Sequence, residues 1–137
     1  MAGNSETITA QDERAISAIL LQYATAADTR DRAMLEGCFA PDIKADYGDP
    51  IGSFSSRDEI VEGLLAMLSN CGETLHFITN ITLRPDGADI AALCYTHAVV
   101  RLPGMDEPVR TAGTYTDRFT RVDGEWRIAE RTYRGIA

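Results

Sequence analysis

Residues 74–135 read TLHFITNITLRPDGADIAALCYTHAVVRLPGMDEPVRTAGTYTDRFTRVDGEWRIAERTYRG, and this stretch decides the fold. Its first segment, TLHFITNITLR, alternates, with Leu75, Phe77, Ile81 and Leu83 on one side. His76, Ile78, Asn80 and Thr82 share the other, more mixed side. RPDG, LPGMDEP and VDG then punctuate the rest into three further runs of strand length: ADIAALCYTHAVVRL, VRTAGTYTDRFTRV and EWRIAERTYRG. Four long strands joined in succession by turns make an antiparallel meander.

Upstream the period changes to that of helices. Thr9 can cap a helix over TAQDERAISAILLQYATAAD, with Asp12 and Glu13 in the first turn, where the helix dipole favours them. Ile16, Leu20, Tyr23 and Ala27 recur at helical spacing, and Ile19 broadens the stripe. A short second helix is expected from Arg30 to Cys38, then a short strand from Ile43 to Tyr47 closed by the turn residues GDPIG. Ser56 and Glu59 form a capping box that opens RDEIVEGLLAMLSN, whose Ile60, Leu64, Met67 and Leu68 share one face. The order predicts an α+β fold, with three N-terminal helices on one face of a strongly bent, mainly antiparallel sheet. Residues 1–8 read as a loose tail and 9–137 as a single domain. Long strands twist and bend, so a helix lying in their hollow leaves a conical space that is either filled core or a ligand pocket.

Composition narrows the partners. The chain has 137 residues, 45% apolar and 25% charged, enough for one core. Its net charge of −8 argues against a phosphate-tracking basic face, and so against nucleic acid or an anionic membrane surface. Cys38, Cys71 and Cys94 lack CxxC spacing and read as small hydrophobes in a reducing compartment. MAGNSETITA lacks the basic start and apolar core of a signal peptide, and no apolar run approaches the ~18 residues of a membrane span. A cytoplasmic protein is expected. GxSxG, HExxH, Walker A and GxGxxG patterns are absent, so the chemistry expected is acid–base work without metal or cofactor on a small molecule.

Polar residues at apolar positions point to the site. Asp28 continues the flank marked by Leu21 and Ala24, at a helix C-terminus where the dipole disfavours an anion. It either serves a site or caps the second helix, with Asp31 three residues on. His76 lies on the mixed side of its strand, which looks either at solvent or at a polar-spotted cavity; its imidazole suits proton removal near neutral pH. Arg131 shares a strand face with Arg127 and Ala129, as a solvated charge or as a fixed cation for a developing anion. Tyr23, Tyr47, Tyr115, His97 and Asn80 complete the candidates, each weighed against a role in packing or in the sheet.

The segments YATAADTRD (23–31), FAPDIKADY (39–47), LHFITN (75–80), AGTYTDRFTRVDGEWRI (112–128) and AERTY (129–133) resemble the SnoaL-like group of the nuclear-transport-factor-2-like superfamily. Within it they are similar to scytalone dehydratase and hexachlorocyclohexane dehydrochlorinase, over about residues 10–134. The resemblance implies a cone-shaped α+β barrel, or cystatin-like roll. It also implies that Asp28 and His76 form a general-base dyad, that Arg131 stabilises a departing anion and that Tyr47 holds a water on a substrate carbonyl. Tyr23 stands where the dehydrochlorinase has lysine, and Gly113 and Tyr115 stand where scytalone dehydratase has serine and asparagine. The resemblance therefore carries the dyad and leaves the substrate open.

The function expected is a cofactor-independent lyase, dehydratase-like, acting on a small hydrophobic, aromatic or polyketide-like molecule. The alternatives are an isomerase or polyketide cyclase using the same dyad, or a non-catalytic binding or dimerisation module. A homo-oligomer is expected because Thr114, Thr116 and Thr120 with Ala92, Cys94, Ala98 and Val100 offer a semi-apolar patch on the convex face. A trimer is placed ahead of a dimer on the resemblance alone.

Overall fold

Thr9 starts the first helix as its sequence predicts: its hydroxyl accepts from the Asp12 N–H, and the Asp12 carboxylate accepts from the Thr9 N–H. In this computed structural model, which describes residues 7–137, the helix runs over Ala10–Thr29 (α1). Residues 1–6 of the expected tail lie outside the described residues, and Ile8 packs against the core. Then follow α2 (Arg32–Glu36), β1 (Phe39–Asp46), β2 (Ser53–Phe54), α3 (Arg57–Leu68) and the four long strands β3 (Thr74–Asp86), β4 (Asp89–Val100), β5 (Val109–Val122) and β6 (Glu125–Gly135).

The second helix is shorter than its sequence suggests. Arg30 adopts a left-handed backbone that ends α1, and Asp31 caps α2 by accepting from the Met34 N–H. β1 begins four residues before the expected Ile43. Ser56 caps α3, but the Glu59 carboxylate reaches back to the Ser55 N–H, one residue before the position a capping box uses. The β5–β6 turn has positive φ at both Asp123 and Gly124, as an Asp-Gly hairpin of the primed type requires.

The strands form one sheet in the order β2-β1-β6-β5-β4-β3, antiparallel throughout except for the parallel β1–β6 pair. It holds the helices on one side, as expected of a cystatin-like roll, and β2 and β3 remain its edges, so the roll is open. Besides a register shift on β1 between Phe39 and Lys44, two bulges shape it. On β3 the pairing passes from Thr79 to Thr82 against Tyr95 and Leu93, with Asn80 at φ 53°. On β6 Ala129 is passed over between Ile128 and Glu130. Each bulge adds one residue and so reverses which parity faces inward.

The inner face of β4 carries Ile90, Ala92, Cys94, Thr96 and Ala98, all buried. These are mostly small side chains, and α1 adds Ile16 and Leu20, fully buried, to the same core. Truncating either of those to alanine costs ~2–5 kcal/mol. Ala92, Cys94 and Ala98 therefore belong to the interior and not to the convex patch expected of them. The outer face shows Leu75, Phe77, Leu93 and Tyr95 instead, each at least 40% exposed. No helix of the described residues is long and apolar enough to cross a membrane.

Candidate active site

The end of α1 delivers Asp28 to the start of β3. Asp28 Oδ1 lies 2.6 Å from His76 Nδ1 and accepts from the Thr74 hydroxyl at 2.9 Å, while Oδ2 accepts from the His76 main-chain N–H at 2.8 Å. One carboxylate thus holds both the backbone and the ring of the same histidine. Because an ionised carboxylate only accepts, the neutral imidazole carries its proton on Nδ1, and Nε2 is left with a lone pair. Nε2 makes no hydrogen bond to protein among the described residues. The alternative reading of Asp28 as the cap of α2 does not hold, because Asp31 does that work.

Across the interior stands a cluster of tyrosines. Tyr23 Oη lies 3.0 Å from Tyr47 Oη and 3.3 Å from Tyr115 Oη. Two contacts among three hydroxyls use two of their three protons, so one O–H remains to be donated elsewhere. Burial pushes all three phenols above the ordinary tyrosine range and keeps them protonated donors. Gly113 makes the close strand approach possible here: a Cβ on it would lie 2.3 Å from the Arg134 carbonyl oxygen and 2.9 Å from the Tyr133 ring.

Arg131 lies beneath this cluster. Its guanidinium forms a bidentate pair with Asp117 at 2.8 Å and 2.8 Å, and both side chains are fully buried. It faces the rings of Tyr115 and Tyr23 at 3.7 Å and 4.5 Å, and Nη1 donates to Tyr47 Oη at 3.4 Å. Burial is the largest influence and opposes the charge on Arg131, but the Asp117 carboxylate with Tyr47 and Tyr115 together outweigh it and hold the guanidinium's pKa above its ordinary value. Arg131 does not line the cavity, so it is neither a solvated charge nor a cation in direct reach of a ligand. The bulge at Ala129 places it inward with Tyr133, while Arg127 takes the other parity.

Between these two walls lies a cavity of about 200 Å³ that His76, Thr74, Tyr23, Tyr47, Tyr115 and Tyr133 help to line. Leu64, Met67 and Leu68 of α3 cover it, with Cys71 beside them. None of its lining residues is Asp, Glu, Lys or Arg. Two candidates fall elsewhere. Asn80 is the exposed bulge residue of β3, and its αL backbone accounts for an asparagine there. His97 is on the outer face of β4, its ring 5.9 Å from that of Phe77. Sequence reasoning missed Asp117 and Thr74. The signal for Asp117 was its parity with Tyr115 and Phe119 on a buried face; Thr74 had none beyond its place two residues before His76.

Residues 9–132 match the SnoaL-like domain family. An uncharacterized protein of Mycobacterium tuberculosis is 30% identical over 123 residues, covering 88% of this chain and 82% of the relative. Among solved structures, a scytalone dehydratase-like protein from Novosphingobium aromaticivorans is 22% identical with TM-score 0.83, covering 92% of this chain and 85% of its own. Hexachlorocyclohexane dehydrochlorinase LinA-type3 from Novosphingobium barchaimii is 17% identical with TM-score 0.84, covering 93% and 88%. A protein of unknown function from Nostoc punctiforme, 19% identical with TM-score 0.80 and covering 93% of each chain, is described as having a cystatin-like fold. The order of elements, the curled open sheet and the domain match together place this chain in the SnoaL-like family.

Proposed function

We propose that this protein is a lyase that eliminates water from a small, uncharged molecule, with His76 as the base. The observation that carries this reading is the 2.6 Å contact between Asp28 and His76 at the wall of a cavity lined by uncharged side chains. Nε2 takes a proton from a carbon next to a carbonyl, the C–H electron pair forms the new C=C bond, and the β C–O bond breaks. The leaving hydroxide takes the proton back from the imidazolium, giving water and regenerating the base. Asp28 stabilises the imidazolium while it exists. The hydroxyl proton left over in the Tyr23–Tyr47–Tyr115 cluster is the donor for the carbonyl oxygen as it gains charge. Arg131 supports that donor from behind, through Tyr47, in place of meeting the anion itself.

Every step uses groups the chain supplies, so dialysis against a chelator leaves turnover unchanged under this reading. The same proton removal serves double-bond isomerisation or ring closure when no leaving group stands at the β carbon. A panel of neutral β-hydroxy ketones and unsaturated ketones, followed by ultraviolet absorbance, separates elimination (new conjugation with loss of water) from isomerisation (new conjugation at constant mass). Binding of these compounds without turnover, unchanged in His76→Ala, would mean a binding module and overturn the enzyme reading.

A further inference from the structure

We infer that Arg30 is a positioning residue for the Asp28–His76 pair, an inference that rests on the reading of that pair as the working dyad. Arg30 stands just past the end of α1 at φ 54°, ψ 41°, the left-handed position where glycine is the usual choice. The turn is a Schellman motif: the Asp31 N–H donates to Ala26 O at 2.9 Å and the Arg30 N–H to Ala27 O at 3.3 Å. That motif needs only backbone, so an arginine there accepts conformational strain that glycine would avoid.

The side chain explains the choice. Nη1 donates to the Thr74 hydroxyl oxygen at 2.7 Å and to the carbonyls of Ala27 and Asp28 at 3.0 Å and 3.3 Å. Nη2 donates to the carbonyls of Gly72 and Leu68 at 2.7 Å and 3.3 Å. No carboxylate lies within ion-pair distance of this guanidinium among the described residues. Its charge therefore faces the carbonyl ends of α1 and α3, where the two helix dipoles are negative.

The contact with Thr74 is the one that reaches the dyad. With its oxygen taken by a donor that cannot accept, the Thr74 O–H turns to Asp28 Oδ1, 2.9 Å away. Oδ1 is the same oxygen that holds His76 Nδ1. The chain Arg30 to Thr74 to Asp28 to His76 thus fixes the carboxylate at the oxygen that the imidazole uses. It also places a cation two hydrogen bonds from an anion that the α1 dipole disfavours. Through Leu68 and Gly72 the same guanidinium ties down the α3–β3 connection that borders the cavity.

The test is long-range proton–nitrogen NMR of the full-length, nitrogen-15-labelled protein, in which His76 and His97 are the two histidines. Wild type is expected to show the neutral His76 ring protonated on Nδ1, with a low-field, exchange-protected proton. In Arg30→Gly, which relieves the backbone and removes the clamp, that proton is lost and the ring becomes a mixture of tautomers, while His97 is unmoved. Thr74→Val, a smaller lesion that serves if Arg30→Gly does not fold, gives the same His76 change, and the double variant adds nothing further. A folded Arg30→Gly, or Thr74→Val, with the wild-type His76 pattern would reduce Arg30 to a backbone tie and overturn the proposal. Wild-type protein lacking the Nδ1 proton would instead remove the dyad itself, and the proposal with it.

Discussion

The interior holds two carboxylate pairs that differ in burial and in partner. Asp117 meets Arg131 in complete burial, while Asp28 meets His76 where each side chain keeps about a sixth of its exposure, 17% and 16%. A guanidinium cannot give up its proton under ordinary conditions, so the first pair has one state and serves as architecture. An imidazole can, and the second pair has access to the cavity in which to use the change. Burial and partner type together separate a fixed pair from the pair that the proposed function uses. His76→Ala and Asp28→Asn should each lower kcat by ~10²–10⁴-fold on any substrate the protein turns over, while leaving the fold intact. The double variant should be little worse than either single one, because the pair acts as a unit. Asp28→Asn with near wild-type turnover would end the dyad reading.

Asp117→Ala is the matching lesion on the other side. It strands the Arg131 charge in the core and should cost ~3–5 kcal/mol in urea unfolding. Asp28→Asn, at a partly exposed site, should stay within about 1 kcal/mol of wild type. Equal stability losses at the two positions would erase the distinction.

The sequence carried some of this plainly and hid the rest for identifiable reasons. The helices and the meander were legible because each rests on local chemistry, caps and turn dipeptides; Asp28 stood out as an anion at the wrong end of a helix, but the residues alone left it open between a site and a cap. The facing of β3 was not legible, because alternation was read straight through Asn80. Leu75 and Phe77 look apolar enough for a core and are exposed, whereas Thr74, His76 and Ile78 face in. After the bulge Ile81 and Leu83 turn inward, so the apparent stripe belongs to two faces. The Ala129 bulge concealed Arg131 in the same way. β4 misled through size: its smaller residues face the interior, and Leu93 and Tyr95 face out. Asp117 was hidden because an unbroken hairpin register sets it opposite Glu130, and only the Ala129 bulge brings Arg131 across from it.

The tyrosine wall gives the next effect in size. The folded chain holds the Tyr23, Tyr47 and Tyr115 protons above their unfolded values, chiefly through burial. Their contribution to stability is complete below about pH 10 and is lost as the pH rises past it toward the folded-state values. Absorbance at an alkaline-phenolate wavelength should therefore show these three ionising together with unfolding. Smooth ionisation in a still-folded protein would place the hydroxyls in contact with water and weaken their assignment as dry donors.

The outer sheet face sets a further comparison, between the wall that encloses the cavity and the wall that shows Leu75, Phe77, Leu93 and Tyr95. We propose that this outer face meets other copies of the chain, with a trimer ahead of a dimer. Each chain has a mass of 15.0 kDa, so light scattering at micromolar concentration should report about three times that value, or twice it for a dimer. Phe77→Glu should lower the mass without altering the His76 ring. A wild-type mass of a single chain would overturn the assembly.

The smallest effect expected, and the simplest to measure, uses the cysteines as reporters of the two walls. Cys94 lies on the Arg131 side, where burial and the nearby Asp117 charge push its thiol up to about 11. Burial pushes the Cys38 thiol, which points at the Met34 and Ile19 carbonyls, up to about 12. Thiolate is the reactive form, so at pH 8 both are unreactive on two counts, protonation and burial. Cys71 is half-buried and lines the cavity on the His76 side. An aromatic disulfide reagent at pH 8 should therefore modify one thiol per chain quickly in the native protein, and all three only after denaturation. Cys71→Ser should abolish the fast phase, and a neutral ketone that occupies the cavity should slow it. Fast labelling of Cys94 would mean that the Arg131 wall opens to solvent, and the contrast between an inert pair and a working one would then fail at its buried end.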